Sequence, residues 1–338
     1  MALKQIHLLP IEKVATAYCV ATILLMVVMM SRLVNPVAMV IMRLEWFAVT
    51  FALVGIAALV ERSFFCTRDF SLLTLHFSFS HLLFFLRTVT QLAWLILWYP
   101  DTYEFNRCFA NLDHVFAAAD LQLFGCQPSL VFSQQLPGAV WSEAFNLGYW
   151  SYFPMIALLS CVVLWKTRSS FAAPHSTFSM LTTTILTAFF LFYFIYIFLP
   201  VAGPQFYFEA VGVNAIEAGH FPALGTYFSS HTDMLPSPGY SDGFFYHLVS
   251  GAQATGERPT AAFPSSHIGI STILLLLARR HAPRLLFVLM PLWTLLCCAT
   301  VYIQAHYLVD AIAGLISAPL MLMLTHYILH RTGLINVE

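Results

Sequence analysis

FPSSHIGISTILLLLARRHAPRLLFVLMPLWTLLCCATVYIQAHYLVD, residues 263–310, is a hairpin bracketed by two short polar motifs. It opens on Phe263-Pro264-Ser265-Ser266-His267 and closes on His306-Tyr307-Leu308-Val309-Asp310. Between them lie two apolar runs, 267–282 and 285–302, and a third run begins at Tyr307. The runs lack polar/apolar alternation and are too long for strands, so the spacing predicts helices. The turn joining the first two carries Arg279, Arg280 and Arg284. Two spans with their positive charge at the turn return both motifs to the opposite side of a membrane.

The rest of the chain agrees with that reading. Of 338 residues, 59% are AVILMFWYC and 9% are charged, with a mean hydropathy of +0.78. Soluble proteins carry about 25% charge, so a soluble core is excluded. The net charge is −1 and no basic block occurs, which removes nucleic acid as a partner. The first apolar run is read as a membrane helix and not as a signal peptide.

A span needs about 20 mostly apolar residues. Eight segments qualify: 14–33, 38–60, 72–98, 145–164, 180–199, 267–282, 285–302 and 307–329. The sixth is short and the third long, so tilt or an interfacial start is expected. A count of six or seven is the alternative. The expected architecture is an all-α polytopic membrane protein of about eight transmembrane helices. Residues 1–70 form two N-terminal helices, and 71–330 form a catalytic core with two long loops, 99–146 and 200–266. In the first loop, 112–124 reads as a helix lying along the membrane surface. The second is rich in Gly, Pro, Ser, His and aromatics and reads as a lid or vestibule.

Lys and Arg set the orientation. One side holds Lys4, Lys13, Arg62, Arg68, Lys166, Arg168, Arg279, Arg280, Arg284 and Arg331, ten in all; the other holds four, Arg32, Arg43, Arg107 and Arg258. The first side is therefore expected to be cytoplasmic, with both motifs and both loops facing periplasm or lumen. The short tails carry no sorting signal, which favours a bacterial inner membrane over a Golgi-type one.

The motifs carry chemistry. His306 and Asp310 are four apart and share a helix face. A carboxylate on one imidazole N–H would fix the tautomer whose other nitrogen attacks phosphorus. Pro264 suits a first helical turn and Ser265 a cap, and free N–H groups at a helix start bind phosphate oxygens. Ser266 adds a hydroxyl, and His267 would stand beside any phosphate held there. Taken singly, each motif also fits an ordinary helix start. Together, on one side of one hairpin, they supply a nucleophile, its orienter, a phosphate cradle and an acid.

Pro-Ser-x-His followed by His-x-x-x-Asp resembles the type-2 phosphatidic acid phosphatase superfamily. The closer likeness is to its inositol phosphorylceramide synthase-like branch, through Phe263–His267 and the stretch Thr300-Val301-Tyr302-Ile303-Gln304-Ala305-His306-Tyr307-Leu308-Val309-Asp310. Weaker similarity appears in Leu112-Asp113, in Leu123-Phe124-Gly125 with Pro128, and in 200–204. The resemblance implies that His306 forms a phosphohistidine, Asp310 orients and charge-balances it, and His267 exchanges the proton. It also implies that Ser265 and Ser266 hold the phosphate, with neither metal nor cofactor. The phosphatases of this superfamily carry Lys-x6-Arg-Pro and a Ser-Arg before the second histidine. Here Arg258-Pro259 is preceded at the lysine position by Gly251, and Ala299-Thr300 replace Ser-Arg. A doubly charged monoester needs more positive charge than a singly charged diester. The losses therefore favour a phosphotransferase moving a phospho-head group, such as inositol phosphate, from a phospholipid donor to a lipid or alcohol acceptor, as in sphingolipid metabolism. A lipid phosphate or isoprenoid pyrophosphate phosphatase is the alternative, and a non-catalytic transporter or scaffold the second. Oligomeric state is left open.

Arg87 in the third span is expected to contact phosphate or a head group, with pairing to Glu143 as the alternative. Arg258 is expected to reach the phosphate. His76 and His81 read as structural. His220, His231, Asp233 and His247 match no metal-site spacing. Trp94, Trp98, Tyr99, Trp141, Trp150 and Tyr152 read as an interfacial belt. Of seven cysteines, Cys19, Cys161, Cys297 and Cys298 fall in spans and Cys66 in a turn. Cys108 and Cys126 share the first loop, either as a disulfide or as two thiols.

Overall fold

Apolar runs that cannot leave their backbone groups unpaired in a bilayer must become helices. In the computed structural model, which describes residues 7–64, 70–167 and 176–335, every regular element is helical. Of the side chains of 62–64 and 70–78 nothing is described. Lys4, Cys66, Arg68 and Arg168 lie outside the described residues, as do the side chains of Arg62 and His76.

The helices are α1 (Pro10–Met29), α2 (Pro36–Phe64), α3 (Phe70–Ala93), α4 (Leu95–Asn106), α5 (Asp113–Phe124), α6 (Pro128–Gln135), α7 (Ala139–Trp150), α8 (Tyr152–Lys166), α9 (Thr177–Phe198), α10 (Pro204–Val211), α11 (Val213–Glu217), α12 (Phe244–Gly256), α13 (Ser266–His281), α14 (Leu286–Tyr302) and α15 (Leu308–Arg331). Among the described residues, six segments are long and apolar enough to cross a membrane: Pro10–Met29, Pro36–Glu61, Phe79–Asn106, Thr177–Phe198, Pro283–Tyr302 and Leu308–Arg331. Two bent pairs, α5 with α6 at 60° and α7 with α8 at 51°, bring the number to as many as eight where each pair counts as one span. The chain is a polytopic all-α membrane protein.

Two expectations need correction. The predicted span 267–282 is α13, whose 16 residues rise about 24 Å against a hydrocarbon thickness of about 30 Å. It falls short of a full span by length. The predicted surface helix 112–124 is α5, but its polarity is turned inside out. Asp113, Ala117 and Asp120 are buried, while Val115 is 52% and Leu123 68% exposed. In a membrane protein the apolar side chains can face lipid, and the carboxylates go inside where donors await them.

The chain divides into two units. The first comprises Met1–Trp98, Val163–Thr187 and Thr325–Glu338. There the Glu12 carboxylate takes the Arg87 guanidinium in two hydrogen bonds, Nε at 2.8 Å and Nη2 at 2.6 Å, and also caps α1 through Leu9 N–H at 2.7 Å. Trp46 Nε1–H donates to Gln91 Oε1, and Gln91 Nε2 donates to Thr50 Oγ1. These pairings satisfy polar groups that would otherwise be costly in an apolar bundle.

The second unit comprises Tyr99–Val162 and Ala188–Leu324. Its core includes Ala117 and Leu130 from α5 and α6, Tyr207 and Phe208 from α10, and Ala262 and Tyr307 beside the two motifs. Cys108 and Cys126 are free thiols, so the disulfide alternative is not realised.

Candidate active site

Both motifs start helices, and the folding of each start fixes a histidine. Ser265 caps α13, its Oγ accepting from Ile268 N–H at 3.4 Å. That turns His267, the second residue of α13, toward the loop before α15. His306 sits in that loop, 2% exposed, with its backbone N–H donating to Thr300 O at 3.0 Å. The two rings meet edge to face, and His306 Nε2 lies 3.4 Å from His267 Nδ1. Tyr149 and Tyr152 cover the His267 ring, at centroid distances of 4.7 and 4.6 Å.

The other nitrogen of His306 settles the tautomer. Nδ1 lies 2.8 Å from Ala262 O. A carbonyl oxygen only accepts, so Nδ1 carries the proton and Nε2 keeps its lone pair. His267 Nδ1–H then donates to Nε2. Burial holds the His306 imidazole well below its ordinary value, at about 4, with the Ala262 carbonyl working weakly the other way. Neutral His306 with its lone pair on Nε2 is the form a nucleophile requires, and His267 must release that lone pair before attack.

Asp310 does not take the role expected of it. Its Oδ2 is 3.9 Å from His306 Nδ1 and instead accepts from Tyr307 N–H at 2.9 Å. The Ala262 carbonyl orients the ring, and Asp310 stands just beyond hydrogen-bond range. Its Oδ1 is buried with no hydrogen-bond partner among the described residues.

The serines also differ from expectation. Ser265 N–H donates to Asp310 O at 3.1 Å, and Ser266 N–H donates to Tyr196 Oη at 2.9 Å. Neither amide is free for phosphate. Ser265 belongs to the scaffold; Ser266 lines the pocket described below. Gly314 makes this joint possible, since a Cβ there would come within 2.5 Å of Ser265 O.

Arg87 is held by Glu12 in the first unit and is not among the residues that line this pocket. Nor does it pair with Glu143, which accepts from Phe245 and Tyr246 N–H and caps α12. Arg258 also lies outside the pocket lining; its Nη1 donates to Glu257 O at 2.7 Å.

The pocket beside the histidines is a cleft of about 380 Å³, part of it open to solvent. His267, His306 and Ser266 line it on one side, with Gln205, Phe206, Glu257, Thr260 and Tyr149 among the others. No Lys or Arg lines it among the described residues. Glu257 accepts from Tyr99 Oη at 2.7 Å. Burial raises the Glu257 carboxyl above the usual carboxylate range, while the Tyr99 hydrogen bond and Arg258 pull it back in part. Among the described residues no group of three or more His, Cys, Asp or Glu is placed to hold a metal. His231 of the 200–266 loop stacks on Tyr227 instead, at 4.0 Å.

Two buried carboxylates escaped the motif reading. Asp113 accepts from Ala202 N–H at 2.6 Å, Gly203 N–H at 2.8 Å and Tyr307 Oη at 3.0 Å, and also from Asn111 Nδ2. Asp120, two helical turns on, accepts from Leu308 and Val309 N–H at 2.9 and 3.0 Å. Together they fasten α5 to the 202–203 segment and to Tyr307, Leu308 and Val309, the residues directly after His306. Gly203 brings the 200–204 segment against that loop. Its φ is +101°, and a Cβ there would approach Ala305 O to 2.7 Å, so only glycine fits. Gln304 and Ala261 adopt positive φ of 63° and 69°, uncommon for residues with a Cβ, beside His306 and Ala262. The weak sequence signal for this clamp was Leu112-Asp113 and the run from Pro200 to Pro204.

A family model described as the PAP2 superfamily matches residues 124–324, over half of the chain and including both motifs. No curated protein and no solved structure matches.

Proposed function

The chain belongs to the PAP2 superfamily, a family of phosphatases and phosphotransferases acting on phosphoesters, and on that premise we propose that it transfers a phospho-head group between lipids through a phosphohistidine. In the proposed first step, His306 Nε2 attacks phosphorus and the bond to the departing lipid oxygen breaks. That oxygen takes a proton from His267. In the second, the acceptor hydroxyl gives its proton to His267, its oxygen attacks phosphorus, and the bond to Nε2 breaks. Asp310 and the Ala262 carbonyl offset the charge that grows on the ring. The likeness of the two motifs to the inositol phosphorylceramide synthase-like branch supports this reading.

One observation carries the choice of transferase over monoesterase: a pocket lined by both histidines and by no cation among the described residues. A dianionic phosphate monoester would sit there without compensation; a monoanionic diester suffers less. The proposal also puts the pocket on the non-cytoplasmic face, which the ten-to-four Lys and Arg bias supports. Incubation of purified protein with head-group-labelled phosphatidylinositol, with and without ceramide or diacylglycerol, tests it. Label appearing in a new lipid is the expected result. Phosphate release from phosphatidic acid, with no transfer from any diester, would overturn it in favour of hydrolysis.

A further inference from the structure

The pocket has a carboxyl where a phosphate-handling site ordinarily gathers cations. Glu257 is half-buried and lines the same cavity as His267 and His306. It stands in the short segment between α12 and α13, beside Arg258, whose guanidinium turns back to the Glu257 carbonyl. Its Oε1 is held by the Tyr99 hydroxyl, which fixes the group in place and leaves the second carboxyl oxygen without a hydrogen bond among the described residues.

The neighbours of Glu257 are neutral hydroxyls. Thr260 lines the pocket, and its buried Oγ1 has no hydrogen-bond partner among the described residues. Tyr149 lines it too, with its ring against His267. Gln205 completes the polar wall and is itself held by Leu235 O, Ser237 and Gln253. A carboxyl acceptor, a tyrosine hydroxyl and a threonine hydroxyl form a set that matches the vicinal hydroxyls of a polyol. The same set repels a terminal phosphate dianion.

We propose that Glu257 determines head-group specificity, selecting phosphodiesters whose head group carries hydroxyls and rejecting phosphate monoesters. The inference rests on the phosphotransferase reading above and names its substrate class. Glu257 accepts a hydrogen bond from a head-group hydroxyl, and Thr260 and Tyr149 complete the contact.

The test is a ratio, kcat/KM on phosphatidylinositol divided by kcat/KM on phosphatidic acid, from one detergent-solubilised preparation. A ratio is insensitive to the fraction of protein that folds, so a poorly folding variant still reports. The wild-type ratio is expected to exceed one, and to exceed the corresponding ratio for phosphatidylethanolamine. Glu257→Gln should lower it about tenfold, the usual effect of weakening one charged hydrogen bond. Glu257→Lys, which supplies the cation the pocket lacks, should lower it further by raising phosphatidic acid turnover. Unchanged ratios in both variants, with the wild type still preferring the diester, would overturn the role of Glu257 alone. A phosphatidylethanolamine ratio equal to that of phosphatidylinositol would overturn the hydroxyl assignment. A wild type that prefers phosphatidic acid would overturn the underlying transferase reading as well.

Discussion

Tyr307 and Asp113 meet across most of the catalytic core, the tyrosine hydroxyl donating to Asp113 Oδ1 at 3.0 Å. Every group that reaches Asp113 is a donor: two backbone N–H groups, an amide and a phenol. Only a carboxylate accepts from all of them. Asp113→Asn must aim its own NH2 at one of these donors. We expect a loss of about 1–3 kcal/mol of stability and a fall in activity of at least tenfold, read by thermal melting in detergent alongside kcat. Unchanged melting with unchanged kcat would remove the clamp from the description of the site.

Asp120 tests the other jaw. Leu308 and Val309 are at the start of α15 and give their N–H groups to its two oxygens. Asp120→Ala leaves both donors without an acceptor and removes a favourable charge at a helix N-terminus. The expected cost is again about 1–3 kcal/mol. Increased amide exchange confined to 306–311 would localise the effect.

His306 carries a covalent prediction. Brief incubation with phosphorus-labelled lipid should leave label on the wild-type protein, stable to base and labile to acid, as a phosphoramidate is. His306→Ala should carry none and should lose at least a thousandfold in turnover. Label persisting in that variant would reassign the nucleophile.

The pH profile follows from the buried ring. Protonated His306 has no lone pair on Nε2, so activity belongs to the alkaline side of its titration. Burial sets that titration at about 4, and burial beside His306 holds His267, the proton donor, lower still at about 3, so kcat/KM should rise as pH falls from neutrality toward about 4 and drop again only below about 3. An ordinary imidazole would put the drop near 6.5. The same shift has a stability consequence. The unfolded chain binds this proton first, so stability rises with pH from about 4 to about 6.5 and is lost as pH falls through that window. An acid limb near 6.5 would contradict the dry environment of the ring.

Arg87 and Glu12 give a negative control for the pocket. Breaking the pair with Arg87→Met alone strands a buried carboxylate and should cost about 3–5 kcal/mol. Glu12→Gln with Arg87→Met should recover much of that loss. KM of the double variant for the phosphodiester should match the wild type, because Arg87 does not line the pocket. A tenfold rise in KM at unchanged melting temperature would restore Arg87 as a ligand for phosphate.

What could be read in advance divides along physical lines. The hairpin and the meeting of His267 with His306 were legible, because apolar length and motif position bring both to one side. The acceptor for His306 Nδ1 was not, since a backbone carbonyl leaves no trace in residue identity. The inward face of α5 was misread for a related reason: Asp113 and Asp120 look like a wet face until their distant donors, 89 to 194 positions away, are known. Arg87 was given to the phosphate because its partner lies 75 residues back in the chain.

The 2.8 Å contact between His306 Nδ1 and Ala262 O bears on how long the covalent species survives. A carbonyl oxygen cannot remove the proton it receives. On the proposed reaction, the imidazole bearing phosphorus on Nε2 therefore stays protonated on Nδ1, and a cationic imidazole departs readily where its neutral conjugate base would cling. The brevity of the phosphoenzyme is then written into the main chain. No side-chain deletion can remove that carbonyl, only a shift of the Ala261–Ala262 backbone can, and the adduct would become persistent when it does.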